Sequence, residues 1–312
     1  MTAILVVGSL NADLVVRTPR FPAPGETISG EDLHIIPGGK GANQAVAAAR
    51  QGASVGMTGR VGNDSFGPEL INNLKQNNVD ASHVQIDAQS ATGTAIIVVD
   101  ANGQNSILLS PGGNGRVSSA DVASASFSDY KLLLLQLEIP METVIAAAQR
   151  ARENGLRVLL NPAPARPLPD ELISLSDFII PNEIELSLLT NQAVNDPASA
   201  EKAARTLLER GAQNIIVTLG ANGALLVTSS QVTHVKAYPV DVVDTTAAGD
   251  AFIGGFAAKL LESNNLLLDT HETSHALQNA VRYGCACGAL AATKFGAQPS
   301  LPTREEVERF IA

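Results

Sequence analysis

The sequence predicts an α/β protein: a doubly wound, mostly parallel sheet with helices on both faces, joined to a small β-sheet appendage. Three observations carry the prediction. Nearly uninterrupted apolar runs such as Leu132–Leu137 have no polar face, so they read as strands buried on both sides, as in a parallel sheet covered by helices. These runs alternate along the chain with Ala-rich or amphipathic stretches that read as helices. Two pairs of segments with β character and strong turn signals stand outside the alternation and flank the first apparent helix.

Taken in order, Ala3–Gly8 is a short apolar run ending in Gly-Ser, the first buried strand. Ala12–Arg17 and Thr27–Ile36 have β character and are separated by Pro19, Pro22, Pro24 and Gly25. Gly41–Arg50 is Ala-rich and helical, Ser54–Arg60 a strand, and Phe66–Asn77 a helix. Gly93–Val99 and Asn105–Ser110 enclose Asn102-Gly103, and Asn-Gly between alternating apolar runs marks a hairpin. Strand Leu132–Leu137 leads into helix Met141–Asn154. Strand Arg157–Leu160 ends in Asn-Pro-Ala-Pro, and strand Asp177–Ile180 precedes helix Asn182–Leu189. Helix Ala198–Arg210, strand Asn214–Leu219, and helices Gly249–Glu262 and His275–Lys294 complete the pattern. Residues 1–312 read as one domain, with segments at about 12–36 and 93–110 forming the appendage. In such sheets ligands sit at the carboxyl ends of the strands, so the informative residues should follow strands directly.

Composition narrows the function classes. At 312 residues, 45% hydrophobic and 17% charged, the chain has an ordinary globular balance and the length for a large core. A net charge of −10 argues against binding a nucleic-acid backbone, which needs clustered Lys and Arg. A nucleotide ligand stays open, because local loops and a metal can offset a global charge. No run approaches the ~20 apolar residues of a membrane span, and no signal peptide is expected. Cys285 and Cys287 lie two residues apart in a helical stretch, where side chains diverge. They are expected to be reduced core thiols in a cytoplasmic protein.

Two segments could carry chemistry. Asp244-Thr245-Thr246-Ala247-Ala248-Gly249-Asp250 opens a very apolar helix. Small residues at a helix start leave backbone N–H groups uncovered, and the helix dipole adds about half a positive charge, which together make an anion hole. An acid there would repel an anion, so Asp250 suggests proton transfer from a hydroxyl while the amides stabilise a transferring phosphoryl group. Local physics alone reads Asp250 equally well as a favourable first-turn acid worth about 0.3–1 kcal/mol. The second segment, Pro37-Gly38-Gly39-Lys40-Gly41-Ala42-Asn43-Gln44, has glycines that let the backbone approach a ligand and an Asn that can donate and accept to a polyol. It also fits a plain tight turn. No Walker A sequence occurs, and no G-x-G-x-x-G follows the first strand.

Together, Gly38-Gly39-Lys40-Gly41-Ala42-Asn43-Gln44 and Asp244–Asp250 resemble the two signatures of the PfkB carbohydrate kinases, and most of all their ribokinase branch. The resemblance runs from Gly8-Ser9-Leu10-Asn11-Ala12-Asp13 to Gly296-Ala297-Gln298-Pro299-Ser300. Ala247 stands where most of the family has Gly, a substitution that the branch tolerates.

The resemblance implies a ribokinase-like domain with a small β lid, and transfer of the ATP γ-phosphoryl to the 5-hydroxyl of ribose. It implies that Asn11, Asp13, Gly39, Lys40, Gly41, Ala42, Asn43 and Glu138 bind the sugar. Asp250 would be the base, and the amides of Ala247, Ala248, Gly249 and Asp250 the anion hole. Asn182, Glu185, Gly249 and the loop Thr218-Leu219-Gly220-Ala221-Asn222-Gly223 would hold the nucleotide. Glu185 would order Mg2+ through water. Asp244, Thr246, Ala291, Lys294, Gly296 and Ser300 would hold K+, largely through backbone carbonyls.

Several positions keep a simpler alternative. Asn182 with Glu185 is also a capping box, Asn11 and Asp13 fit a strand-end turn, Glu138 fits a satisfied strand-end carboxylate, and Thr218–Gly223 fits a glycine turn. Lys40 is either a charge near the phosphoryl group or a solvated one. A homodimer through the lid, and no nucleic-acid or membrane partner, are also expected. The rival functions are the same chemistry on 2-deoxyribose, fructose or a nucleoside, and a non-catalytic sugar-binding protein on this fold. Asn11 argues for a sugar with the extra hydroxyl.

Overall fold

The computed structural model describes residues 3–263 and 271–312. The chain forms β1 (Ala3–Val7), β2 (Asn11–Arg17), β3 (His34–Gly38), α1 (Lys40–Arg50), β4 (Ser54–Gly62), α2 (Phe66–Gln76) and β5 (Val79–Asp87). Next come β6 (Gly93–Val99), β7 (Asn105–Ser110), α3 (Ser119–Ser124), β8 (Leu132–Leu135), α4 (Met141–Glu153), β9 (Arg157–Leu160), α5 (Asp170–Leu175) and β10 (Phe178–Ile179). The remainder is α6 (Glu183–Thr190), α7 (Pro197–Glu209), β11 (Asn214–Thr218), β12 (Ala224–Thr228), β13 (Val232–Val235), α8 (Ala248–Glu262), α9 (His271–Ala292) and α10 (Arg304–Ile311).

Nine strands make the main sheet in the order β13-β12-β11-β10-β9-β8-β1-β4-β5. All neighbours are parallel except at one edge, where β12 and β13 run antiparallel. The apolar strands divide between two cores, as a period of two requires. In β1, Ile4 and Val6 face the layer with α1 and α8, while Leu5 and Val7 face the layer with α4 and α7. The chain leaves β1 for β4 and β5 on one side and returns to β8 on the other. The crevice above β1 and β8 is therefore a topological switch point, where ligands of such sheets bind.

A second sheet of four strands has the order β3-β2-β6-β7. The Asn-Gly signal is realised as the β6–β7 hairpin, with Gly103 at φ 77 in its turn. One face of the small sheet packs Val15 and Ile36 on Ala297 of the main unit. Ile35, Ile96, Ile107, Leu108 and Leu109 stay exposed.

The sequence reading overextends one strand and omits others. Thr27–Ile36 is strand only from His34, because residues 27–33 form no ladder with a neighbouring strand and β3 joins β2 from His34 to Gly38. The strands β5, β12 and β13 and the helices α3, α5 and α10 are additional. Cys285 and Cys287 are buried free thiols, as expected; burial pushes Cys285 up to about 12. Among the described residues no helix is long and apolar enough to cross a membrane.

Candidate active site

The turn between β1 and β2 brings the two sheets together above the switch point. Ser9 donates from Oγ to Glu138 Oε2 at 2.6 Å, and the same carboxylate oxygen accepts the Lys40 N–H at 3.0 Å. Glu138, just past β8, thus caps the first turn of α1, where the helix dipole favours a negative charge. Gly39 (φ 87) makes the turn into that helix in a conformation only glycine adopts without strain. Asn11 and Asp13 are buried at the root of the small sheet, paired in register with Gly38 and Ile36 of β3. Burial first, and then the nearby Glu138 and Asp250 carboxylates, push Asp13 up from 3.8 to about 7; Lys40 opposes the rise.

Asp250 sits in the first turn of α8 and is only 6% exposed. Its Oδ2 accepts from Asn43 Nδ2 at 2.9 Å and its Oδ1 from Gln44 Nε2 at 2.9 Å. Adjacent residues of one helix reach both oxygens because α1 and α8 lie very close. A Cβ on Gly254 would stand 2.4 Å from the Ala47 Cβ, so only glycine at 254 permits this approach. Gln44 is itself held: Nε2 also reaches Asn161 Oδ1 at 3.1 Å, and Oε1 accepts from Gln136 Nε2 at 2.6 Å. Asn161 in turn donates to the Ile180 carbonyl at 3.0 Å. The carboxylate is therefore fixed in position by a buried amide network rooted in α1, β9 and β10.

A cleft of about 190 Å³ opens beside it, lined by Lys40, Asn161, Ala163, Asn182, Glu185, Thr218, Thr245, Ala247, Gly249 and Asp250. The carboxyl ends of β9, β10 and β11 supply one wall, and the start of α8 supplies the other. Ala247 adopts a left-handed conformation, φ 59, which for a residue with a Cβ costs about 1–2 kcal/mol. The first helical bond of α8 runs from Ala251 N–H to the Ala247 carbonyl, and the Ala248 N–H meets the Thr245 carbonyl at 3.2 Å. The Gly249 and Asp250 N–H groups precede any intrahelical acceptor, so they are the amides available to an anion. Burial opposes the Lys40 charge, but the carboxylates of Asp250, Glu138, Glu185 and Asp13 outweigh it and raise its pKa.

Asn182 and Glu185 form the reciprocal capping box of α6, with Glu185 N–H to Asn182 Oδ1 at 2.8 Å and Asn182 N–H to Glu185 Oε2 at 2.9 Å. Capping and cleft lining coincide in these two residues. Burial raises the Glu185 pKa against the pull of the Asn182 bond and Lys40. Beyond Thr218, the loop turns through Gly220–Asn222, with Leu219 N–H to the Gly223 carbonyl at 2.7 Å. Thr218 lines the cleft, and Leu219 through Gly223, which continue from it, do not.

Behind the anion hole, Asp244 ties two segments together. Its Oδ1 accepts from the Thr246 N–H at 2.9 Å and hydroxyl at 2.6 Å, and its Oδ2 accepts the Gly296 N–H at 2.9 Å. These bonds hold the Asp244 pKa below the ordinary value although burial opposes them. Ala291 sits at the end of α9, and Ser300 donates to the Ala297 carbonyl at 2.7 Å. The Lys294 ammonium pairs with Glu306 at 2.6 Å, which leaves its expected backbone role untouched. Oxygen donors in two apposed loops suit a hard monovalent cation. Among the described residues no cluster of three or more His, Cys, Asp or Glu could hold a metal. A magnesium ion held by phosphates and one carboxylate needs no such cluster.

The structure thus gathers Asp250, Asn43, Lys40, Glu138, Asn182, Glu185 and Gly249 around one crevice, with Asn11 and Asp13 at its small-sheet side. Ser9, Gln44, Gln136 and Asn161 are the residues sequence reasoning did not assign. Asn161 directly follows β9 and Ser9 lies two residues past β1, the signal that could have found them. Gln44 closes the Gly38–Gln44 segment without a role of its own there, and Gln136 sits in an otherwise apolar run, where nothing local marks it.

The profile described as "pfkB family carbohydrate kinase" matches residues 1–304. A ribokinase of Haemophilus influenzae is 43% identical over 310 residues, covering 99% of this chain and 98% of the relative. A deoxyribokinase of Salmonella typhi is 39% identical over 312 residues, covering 99% and 98%. The structure of Arabidopsis thaliana ribokinase complexed with ribose and ATP superposes with a TM-score of 0.89 at 31% identity, covering 100% and 99% of the two chains.

Proposed function

This chain belongs to the pfkB family of carbohydrate kinases, and from that premise we propose that it transfers the γ-phosphoryl group of ATP to the 5-hydroxyl of D-ribose, giving ribose 5-phosphate. One observation carries the mechanism: the buried Asp250 carboxylate lies at the N-terminus of α8, on the same cleft as Lys40, Asn182, Glu185 and Gly249. An acid in an anion site is explained by proton transfer. Asp250 takes the proton of the 5-hydroxyl as its oxygen bonds to the γ-phosphorus. The bond from phosphorus to the β,γ-bridging oxygen breaks, and ADP leaves. The Gly249 and Asp250 N–H groups and the α8 dipole stabilise the charge on the transferring group. Lys40 adds a positive charge at the junction of sugar and phosphate.

The sugar is held by Asn11, Asp13, Asn43, Glu138 and the backbone of Gly39–Ala42, and the nucleotide by Asn182, Glu185 and the loop from Thr218 to Gly223. Glu185 would hold Mg2+ through water, and the ion would neutralise phosphate charge. Carbonyls around Asp244, Thr246, Ala291, Gly296 and Ser300 would hold K+, which adds positive charge beneath the anion hole. The small sheet would act as a lid that excludes water, a competing acceptor. Exposed β7 and the apolar side chains of this sheet support a homodimer through it. Two buried reduced thiols support a cytoplasmic setting.

The similarity to a deoxyribokinase keeps 2-deoxyribose as the second reading. Asn11 favours ribose, because a site built to bond a hydroxyl discriminates against a sugar lacking it. ATP consumption by the purified protein with Mg2+ and K+ on ribose, 2-deoxyribose and fructose tests this. Preferential turnover of ribose is expected. Preference for another sugar would move the substrate, and sugar binding without turnover on any would overturn the kinase mechanism.

A further inference from the structure

The sugar-side residue Asn11 is not free to present either end of its amide. Beside it lies Asn114, in the short turn Gly112–Arg116 where β7 returns to the main unit. Asn114 is 1% exposed, in a stretch otherwise made of glycines and Pro111. Its Oδ1 accepts the Leu10 N–H at 2.9 Å, and its Nδ2 donates to the Leu10 carbonyl at 3.0 Å and to Asn11 Oδ1 at 2.7 Å.

These bonds transmit a polarity. A backbone N–H only donates and a carbonyl only accepts. Leu10 therefore dictates which end of the Asn114 amide is oxygen and which is nitrogen. With Nδ2 of Asn114 turned to Asn11, the Asn11 atom facing it must be an acceptor, Oδ1. The NH2 of Asn11 is then the end left for a ligand.

We propose that Asn114 is a positioning residue that holds Asn11 with its NH2 toward the sugar, so that Asn11 donates to the oxygen of the hydroxyl that distinguishes ribose from 2-deoxyribose. The assignment rests on the sugar-kinase reading above. A hydroxyl that accepts from Asn11 keeps its own hydrogen for a carboxylate, and Asp13, two residues along the same strand, is such an acceptor. Geometry reinforces the arrangement. Gly93 pairs with Asn11 in the β2–β6 ladder, and a Cβ there would lie 2.2 Å from Asn114 Nδ2 and 2.5 Å from Asn11 Oδ1. The first residue of β6 is thus kept small where the two amides meet. Asn114 and Gly93 belong to opposite ends of the β6–β7 hairpin, so the orientation of Asn11 depends on how that hairpin is seated.

The test is steady-state kinetics of Asn114→Asp with ribose and 2-deoxyribose, alongside the unaltered protein. The carboxylate keeps the acceptor for the Leu10 N–H and removes the donor to Asn11, which then turns its NH2 to the new acid and presents its oxygen to the sugar. KM for ribose should rise about ten- to a hundredfold, KM for 2-deoxyribose less than about threefold, and kcat for either about twofold at most, since Asp250 is untouched. A merely structural role would move both sugars together. Gly93→Ala, which wedges the amides apart without adding charge, should give the same selective loss and serves if Asn114→Asp does not fold. Equal shifts for both sugars, or none, would overturn the assignment of Asn114 alone. Failure of the unaltered protein to turn over either sugar would sink the kinase reading and this inference with it.

Discussion

Asp13, assigned to the sugar site in the proposed mechanism, offers a direct measure of what burying that carboxyl costs the fold. Its carboxyl is raised from 3.8 to about 7, mostly by burial and then by Glu138 and Asp250. A carboxyl raised on folding is neutral in both states below pH 3.8, so it carries no penalty there. As pH rises above that value the unfolded chain ionises first, and stability falls until the folded group has ionised too, just past pH 7. The full penalty is about 4 kcal/mol, at about 1.4 kcal/mol per tenfold change in proton affinity. About half of it, on the order of 2 kcal/mol, falls between pH 5.5 and pH 8.5. Asp13→Asn removes this titration and keeps the shape. The assay is urea unfolding of both proteins at the two pH values. The stability of the variant relative to the parent should improve by about 2 kcal/mol on going to pH 8.5, a midpoint difference of about 0.5 M. Groups that do not interact with Asp13 contribute equally in both proteins and cancel in the comparison. A difference that is unchanged between the two pH values, or that shrinks as pH rises, would refute the claim that Asp13 is held against its ionised form. In the proposed sugar site the same variant should also weaken ribose binding, because an amide offers one acceptor oxygen where a carboxyl offers two.

Three further outcomes follow from the site. Asp250→Asn should lower turnover by about 10²–10⁴ while ribose binding, read by calorimetry, stays within a few-fold; near-normal turnover would remove Asp250 from the role of base. Replacing K+ by Na+ should depress activity and leave the circular-dichroism spectrum unchanged, whereas equal rates in the two salts would count against a cation behind Asp244. Gly254→Ala should cost about 1–3 kcal/mol of stability, because its Cβ meets Ala47 at 2.4 Å. It should also lower kcat, as α8 and Asp250 move from the Asn43 and Gln44 amides; lost stability with an unchanged kcat would show that the close approach serves packing alone.

What could be read from sequence and what could not divides along physical lines. β1 and β8 were legible because a strand buried on both faces leaves an apolar run with no polar partner pattern. β5 was not: it borders solvent, carries Asp80, Ser82, His83 and Gln85 between its buried residues, and shifts register against β4 at Gly56/Thr58. The β12–β13 hairpin turns through Ser229-Ser230-Gln231, without the Asn-Gly signal that exposed β6–β7. In the site, Gly38–Gln44 and Asp244–Asp250 stood out because the two together resemble a family's paired signatures, although the first alone also fits a tight turn. The role of Gln44 within that segment, and Asn114 altogether, did not stand out, because each amide acquires meaning only from partners 206 and 103 residues away in sequence. The fit of Asn182 and Glu185 to both a helix cap and a ligand site was visible from the start, and their reciprocal bonds show that one arrangement meets the needs of both.

The crevice has opposite electrical character at its two ends, and this is why α1 and α8 must meet where they do. In the proposed mechanism a sugar offers hydroxyl hydrogens and wants acceptors, which Asp13 and Glu138 would supply. A nucleotide offers phosphate oxygens and wants donors, which the start of α8 supplies. Bringing acids and an anion site together would be self-defeating without a cation between them. Lys40 is that cation: it opens α1 directly over Glu138, lines the cleft with Gly249 and Asp250, and stays charged because the surrounding carboxylates outweigh its burial. Asp250 stands at the boundary, where a hydroxyl hydrogen and a phosphoryl group must be served at once. Holding its two oxygens on adjacent α1 amides fixes that boundary to the same helix whose first residue carries the cation. Base, cation and anion site are therefore tied to one pair of packed helices, and in the proposed mechanism the small sheet has only to seat the sugar against them.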